Sequence, residues 1–304
     1  YPHNARGFQF SIDECGSYKH VYDTPKPYLK ITFVGVKEKK WAAFNRNNAA
    51  KNSNSDYLIF MDADDIMPLY KLKTLLEVIS AKKEGVIVTG TVKYFGEQEI
   101  SQGYQSYEAW LNKTADQQSF YKRIYRECVV ASPNWMMRKE DFDDMQGFSK
   151  LTYPEDYDMV FHWRKAGFMI KSCHQLTHLW REHPDRTSRN SEIYQQESFF
   201  KLKLGYFLEE FNKKELFLIG TEKKGILIAK MLQEEKVPFR WFAQDPGLIG
   251  QKKRDVVLEN IFILPPEGIC ILSIYPKKKQ RNALKLSLIH ISEPTRQEAI
   301  AYAV

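Results

Sequence analysis

What most limits the fold of this chain is the alternation of signals between residues 29 and 92. Leu29 to Val36 reads as a β-strand, the polar stretch from Trp41 to Ser55 keeps one apolar helical face, and Tyr57 to Met61 reads as a strand again. An acidic turn, Asp62 to Asp65, follows. Pro68 then opens a helix in its first turn, with Leu69, Leu72, Leu75, Leu76 and Ile79 at helical spacing, before the β-branched run Val86 to Val92. With the strand-like Phe8 to Ile12 ahead of it, this alternation predicts an α/β fold, a mostly parallel sheet flanked by helices.

Further along, Tyr104 to Arg138 is less regular and rich in aromatics, and Asp141 to Phe168 sets Gly147 and Gly167 around an acidic cluster and an amphipathic helix. Ser191 to Asn212 reads as a helix joining two units. A second βαβ pattern then starts: strand Leu216 to Ile219, turn Gly220 to Gly225, helix Ile226 to Glu235, and strands at Phe239 to Phe242 and Ile269 to Tyr275. The expected organisation is a first domain over 1–190, a linker helix over 191–212 and a small α/β domain over 213–287. The run Ser-Leu-Ile-His-Ile-Ser-Glu-Pro-Thr-Arg from Ser287 resembles a translated sequencing adapter, so 288–304 is expected to be non-native.

Among 304 residues, 43% are hydrophobic and 27% charged, which excludes a disordered chain. Apolar runs are too short to span a bilayer, which takes roughly 18 to 20 residues. Four scattered cysteines with no Cys-x-x-Cys pair argue against a disulfide framework or a zinc knuckle and fit a reducing, cytoplasmic setting. The formal net charge of +7 lies in short Lys/Arg clusters without interleaved aromatics. That pattern points away from nucleic acid and toward a phosphate-bearing substrate or an anionic membrane surface. The mixture of Phe, Leu and Lys from Phe199 to Lys214 suggests peripheral contact with the inner face of the plasma membrane.

Three segments carry candidate chemistry. Asp62-Ala63-Asp64-Asp65 follows a strand, at the carboxyl edge where open α/β sheets bind ligands, and hard oxygens there suit Mn²⁺ or Mg²⁺ bridging phosphates. Such aspartates also cap helices, so the turn alone decides little. Glu155-Asp156 opens a helix, where one carboxylate raised by its neighbour suits a general base, although acids at a helix start are also common for electrostatic reasons. Trp180 to Ser188 holds His183, Arg181 and Arg186 in a polar loop, a potential metal ligand and two phosphate clamps.

The order of these elements resembles the inverting glycosyltransferase family 2, whose members have the GT-A nucleotide-sugar fold, here in a bacterial form lacking its first strand. The landmarks are Arg46-Asn47-Asn48-Ala49-Ala50, Tyr57 to Asp65, Asn134-Trp135-Met136-Met137-Arg138, Gly147-Phe148, Glu155-Asp156-Tyr157-Asp158 and Trp180 to Ser188. The resemblance implies that Asp62 and Asp64 hold a metal and the donor diphosphate, with Asp65 beside them. It implies Asp156 as catalytic base with Glu155 as partner, His183 as a further metal contact, and Arg46, Asn47 and Trp135 near the donor. Asp13 or Glu14 stands where the family has a base or ribose contact, with one residue extra. The implied reaction is a hexosyl transfer from a nucleotide diphosphate sugar, a UDP-sugar above others, to a hydroxyl of a surface glycan or lipid-linked acceptor, with inversion. The processive Gln-x-x-Arg-Trp motif is not seen, so addition of one sugar is expected.

The C-terminal unit resembles small Rossmann-like domains fused to some members of that family. Its Gly220-Thr221-Glu222-Lys223-Lys224-Gly225 turn places a carboxylate where a dinucleotide fingerprint needs its middle glycine, which favours a structural role over nucleotide binding. Two other readings stay open: a nucleotidyltransferase, which would release pyrophosphate, and a non-catalytic module that binds a nucleotide sugar or glycan.

Overall fold

The computed structural model describes residues 8–12, 29–33, 42–82, 84–149, 154–184, 196–273 and 288–290. In chain order the elements are β1 (Phe8–Ile12), β2 (Leu29–Phe33), α1 (Ala42–Lys51), β3 (Tyr57–Ile59), α2 (Lys71–Ser80), β4 (Val86–Phe95), α3 (Gln102–Asp116), α4 (Phe120–Arg123), β5 (Trp135–Arg138), α5 (Lys139–Asp144), α6 (Glu155–Lys165) and β6 (Met169–Arg181). There follow α7 (Gln196–Phe211), β7 (Leu216–Ile219), α8 (Lys223–Glu234), β8 (Arg240–Ala243), β9 (Lys252–Lys253), β10 (Val256–Asn260), β11 (Ile269–Leu272) and β12 (Leu288–His290). The described residues fall into two compact units, one within Tyr1–Phe95, Ala115–Gln118 and Val130–Arg181, the other within Gly96–Thr114, Ser119–Val129 and Glu182–Val304. Both are α/β, as the alternation predicts.

In the first unit β1 and β2 pair in parallel, and a second sheet has the order β3-β5-β4-β6 among the described residues. That sheet is mixed rather than mostly parallel. β4 and β6 are parallel, whereas β5 runs antiparallel to both β3 and β4, because the excursion after Phe95 brings the chain back to the edge from which β4 leaves. Leu75 and Ile79 of α2 bury against Val86, Val88 and Met136. On a second front Trp135 meets Phe60 at 5.2 Å, Phe148 at 6.2 Å and Trp163 at 5.1 Å between ring centres, an aromatic core carrying large apolar area.

The start of α2 departs from the sequence reading. Lys71 N bonds Pro68 O, which closes a turn ahead of the helix, so Leu69 lies outside it and is fully exposed. Leu76 is also exposed. The inward place one helical turn before Leu75 is taken by Lys71, whose residue is entirely buried.

The pairing of β4 with β6 slips at a bulge: Thr89 stands opposite Ser172, Thr91 opposite Leu176 and Val92 opposite His178. His174 adopts φ 57° in the bulge. At Gly90 a Cβ would lie 2.3 Å from Thr177 Oγ1, so the close approach admits no side chain. Buried Asn134 closes the gap, donating to Gly90 O at 3.0 Å and accepting from Thr177 Oγ1 at 2.7 Å. The extra residues turn His178 to the inside of β6.

In the second unit the order is β12-β11-β7-β8-β10-β9 among the described residues, parallel except for β9 at one edge. Phe217, Ile219, Phe242, Ile261, Cys270 and Leu272 form its core. β7 has the predicted limits; β9 falls in one of the short Lys/Arg clusters, Lys252 to Arg254, and β10 has no counterpart in the sequence reading. β12, from the segment expected to be non-native, pairs with β11. Phe200, Leu202, Leu204 and Phe207 of α7 are buried, and Tyr125 lies edge-on to Phe207 at 5.6 Å while its hydroxyl donates to Glu210. Those side chains are spent inside the unit, while Phe199, Leu208 and Phe211 of the same helix stay partly exposed. No helix among the described residues is long and apolar enough to cross a membrane.

Candidate functional site

The turn after β3 and the start of α6 meet through one guanidinium. Arg46, projecting from α1, donates from Nη2 to Asp62 Oδ1 at 3.2 Å and from Nη1 to Glu155 Oε1 at 3.1 Å, and it lies over the Phe148 ring at 5.5 Å. Glu155 is buried with its Oε2 unpartnered, Asp62 remains about one-third exposed at 36%, and Asp156 is half-buried with Oδ1 accepting from Tyr157 N at 2.9 Å. Both acids lie in the first turn of α6, behind Pro154 at the N-cap, which makes no side-chain capping bond. Asp158 turns inward, toward His162 one helical turn on.

Burial and, after it, neighbouring charge shift the protons of this cluster. Burial first, and Asp156 second, push the Glu155 carboxyl up to about 7, against the pull of Arg46. Burial likewise raises Asp156, with Arg46 opposing. A carboxyl whose folded pKa exceeds its unfolded value holds more protons when folded, so its contribution to stability falls as pH rises from about 4.5 to about 7. Glu155→Gln, which cannot ionise and still accepts from Arg46, is expected to be more stable than the parent at pH 8 by on the order of 1 kcal/mol and to lose that advantage at pH 5. Thermal unfolding across that range checks it; a pH-independent difference would refute the assignment.

Behind the acidic turn lies a second network. His178 Nε2 is 2.9 Å from Asp65 Oδ2, Lys71 Nζ is 3.3 Å from His178 Nδ1, and Lys71 also donates to Pro133 O at 2.8 Å. A carboxylate only accepts, so Nε2 carries the proton and Nδ1 accepts from Lys71. Asp65 Oδ1 accepts from Arg181 N at 2.8 Å, Arg181 Nε donates to Asp64 O at 2.7 Å, and Ile66 and Leu179 exchange backbone bonds. Burial drives the Lys71 ammonium down to about 7 despite Asp65 and Asp62, and it lowers His178 as well.

Several residues expected at a donor site are committed elsewhere. Asp65 has both oxygens taken and its side chain is only 1% exposed, so it anchors the turn from within. Asn47 spends its amide on Phe148, donating to the carbonyl and accepting from the N–H, each at 2.8 Å, beside Gly147 at φ 66°. Trp135 is buried in the aromatic core and presents no face to a ligand. Arg181 holds the turn through Asp64 O and lies over the Phe95 ring at 4.7 Å. Asp62, Asp64, Glu155, Asp156 and Arg46 remain as the first unit's candidate cluster. His183 is half-buried and falls in the other unit, while Asp13, Glu14 and Arg186 lie outside the described residues.

Lys71 and His178 were not found from the sequence. The signal for Lys71 was its spacing, four residues before Leu75 and eight before Ile79, which puts a lysine in an apolar stripe. His178 sits within the strand-like Cys173 to Leu179, where the bulge hides its parity.

Asp62 and Asp64 supply hard oxygens on one turn, and Asp62 keeps an exposed edge, which suits a cation that takes its remaining ligands from phosphate and water. Among the described residues no group of three or more His, Cys, Asp or Glu is disposed to hold a metal by itself.

Residues 18–146 match the family model described as Glycosyl transferase family 2, a stretch that contains Arg46 and the Asp62–Asp65 turn and ends before Glu155. Among solved structures the chain is similar to a mannosyltransferase of Pyrobaculum calidifontis determined in complex with GDP-Man and Mn²⁺, at 12% identity and a TM-score of 0.42, over 68% of this chain. The chain spans about half, 53%, of that protein. No curated protein matches the chain.

Proposed function

We propose that the chain is a metal-dependent, inverting glycosyltransferase with a GT-A-type first domain, which moves one hexosyl unit from a nucleotide diphosphate sugar to an acceptor hydroxyl of a surface glycan or lipid-linked molecule. The observation that carries this reading is Arg46 bridging Asp62 and Glu155, which joins a strand-end acidic turn to a carboxylate pair of raised pKa within one cluster. The match over 18–146 supports it.

Asp62 and Asp64 would hold Mn²⁺ or Mg²⁺, which when bound neutralises charge on the departing nucleotide diphosphate. Asp156 takes the proton of the acceptor hydroxyl as that oxygen attacks the anomeric carbon from the face opposite the leaving group, so configuration inverts. Its raised pKa brings it nearer the working pH, where a base is most effective. Glu155 and Arg46 fix the helix start, and Arg46 offsets part of the cluster's negative charge. Arg46 is thereby committed to carboxylates in the free protein rather than offered to a base or ribose.

In the same reading the C-terminal sheet has a structural role. Trp241 Nε1 and Ser273 Oγ both donate to Gly220 O, Lys253 donates to Thr221 O, and Glu222 occupies the helix entry where a pyrophosphate would need a free backbone approach. A cytoplasmic location and a UDP-linked donor belong to this proposal.

Calorimetric titration of UDP and of GDP, with and without Mn²⁺, tests it. The parent is expected to bind one nucleotide at least tenfold more tightly with metal, and Asp64→Ala to lose that enhancement. Metal-independent binding, or an unchanged enhancement in Asp64→Ala, would overturn the placement of the donor site. Pyrophosphate release in place of a nucleoside diphosphate would favour nucleotidyl transfer.

A further inference from the structure

The buried line from Lys71 through His178 to Asp65 takes no part in the reaction just described, yet it ends one residue from Asp64. All three side chains are buried: His178 and Lys71 are without exposed surface and the Asp65 carboxylate is 1% exposed. Burying a lysine, a histidine and a carboxylate together is costly and needs complete hydrogen bonding to be tolerated. A stripe of leucines would hold α2 to the sheet more cheaply, as Leu75 and Ile79 already do.

We infer that Lys71 is a positioning residue, which through His178 and Asp65 sets the orientation of the Asp62–Asp64 turn. The inference rests on the glycosyl-transfer reading, since it is the proposed cation that the turn would serve. By donating to Nδ1, Lys71 selects the imidazole tautomer with hydrogen on Nε2, and that hydrogen is the one Asp65 accepts. Asp65 receives its second bond from Arg181 N, and Arg181 Nε holds the carbonyl of Asp64. Asp64 is thus held through its own carbonyl and through its neighbour's carboxylate, both from the end of β6. An imidazole rotated or in the other tautomer would offer Asp65 a lone pair instead of a donor and release the turn. The same logic, a carboxylate–histidine pair fixing orientation behind a ligand, recurs around metal sites.

Donor and acceptor polarity gives a test that a merely structural role does not pass. Asp65→Asn presents an N–H to one of two partners that already donate, His178 Nε2 or Arg181 N. The conflict at His178 disappears when the imidazole changes tautomer, which Lys71 opposes and methionine at 71 permits. In the full-length protein, with nucleotide binding followed against Mn²⁺ concentration, Lys71→Met and Asp65→Asn are each expected to raise the Mn²⁺ needed for half-maximal enhancement about tenfold, with metal-free nucleotide binding unchanged. The Asp65→Asn/Lys71→Met double variant is expected to need less Mn²⁺ than Asp65→Asn alone, and ¹⁵N shifts of His178 to report hydrogen on Nε2 in the parent and on Nδ1 in the double variant. Lys71→Gln, which keeps a donor, serves where Lys71→Met does not fold and should fall between parent and Asp65→Asn. Additive defects, an unchanged metal requirement in the folded Lys71 variants, or hydrogen on Nδ1 in the parent would overturn the inference alone. A parent without any Mn²⁺-dependent nucleotide binding would overturn the glycosyl-transfer reading and this inference with it.

Discussion

Asp156→Asn is expected to lower kcat by about a thousandfold while leaving Mn²⁺-dependent nucleotide binding within twofold of the parent. A positioned general base contributes roughly 10² to 10⁴ in rate, and asparagine keeps the acceptor for Tyr157 N while removing the proton sink. The opposite pattern is expected of Asp64→Ala, so the two variants separate base from donor turn. Equal loss of nucleotide binding in both would end that division of labour. The pH dependence sharpens the point: burial raises Asp156, so the acidic limb of kcat should lie above the usual aspartate range, and it should vanish from the residual activity of Asp156→Asn.

The largest effect on stability is expected of Arg46→Met. The guanidinium is the ion-pair partner of buried Glu155 and of Asp62, and it opposes the rise in pKa of both Glu155 and Asp156. Removing one member of a buried pair leaves an uncompensated charge, which costs about 3 kcal/mol or more. Without Arg46 the carboxyls bind protons more tightly in the folded state, so the deficit should be largest above pH 7 and shrink toward pH 5 as Glu155 becomes neutral. Denaturant unfolding of parent and variant at pH 8 and pH 5 measures both numbers. An equal deficit at the two values would show that Arg46 acts through packing on Phe148 rather than through charge.

Much of the fold was legible because hydrophobic period and turn chemistry agree locally. Leu216–Ile219 is a four-residue apolar run bounded by charge and glycine, and it is a strand with the expected limits. Direction was not legible: nothing in Trp135 to Arg138 says that β5 runs against its neighbours, since that depends on where the chain returns after leaving β4. At the site, residue types were visible and their commitments were not. Asn47 and Asp65 are small polar residues beside motifs, and only three-dimensional pairing shows their polar atoms spent on Phe148, His178 and Arg181. The β6 bulge hid His178 for a related reason, because an irregular register breaks the alternation from which a strand's inward face is read.

The assignment of 96–114 and 119–129 to the same unit as α7 and the C-terminal sheet makes the chain an interleaved thread rather than two beads on a string. No single cut separates the units. A break near residue 190 strips Tyr125 of both the Phe207 ring and the Glu210 carboxylate that its hydroxyl donates to. The C-terminal sheet is therefore not a detachable cassette: whatever exchanges it for another module must also supply a helix that fits the middle of the chain.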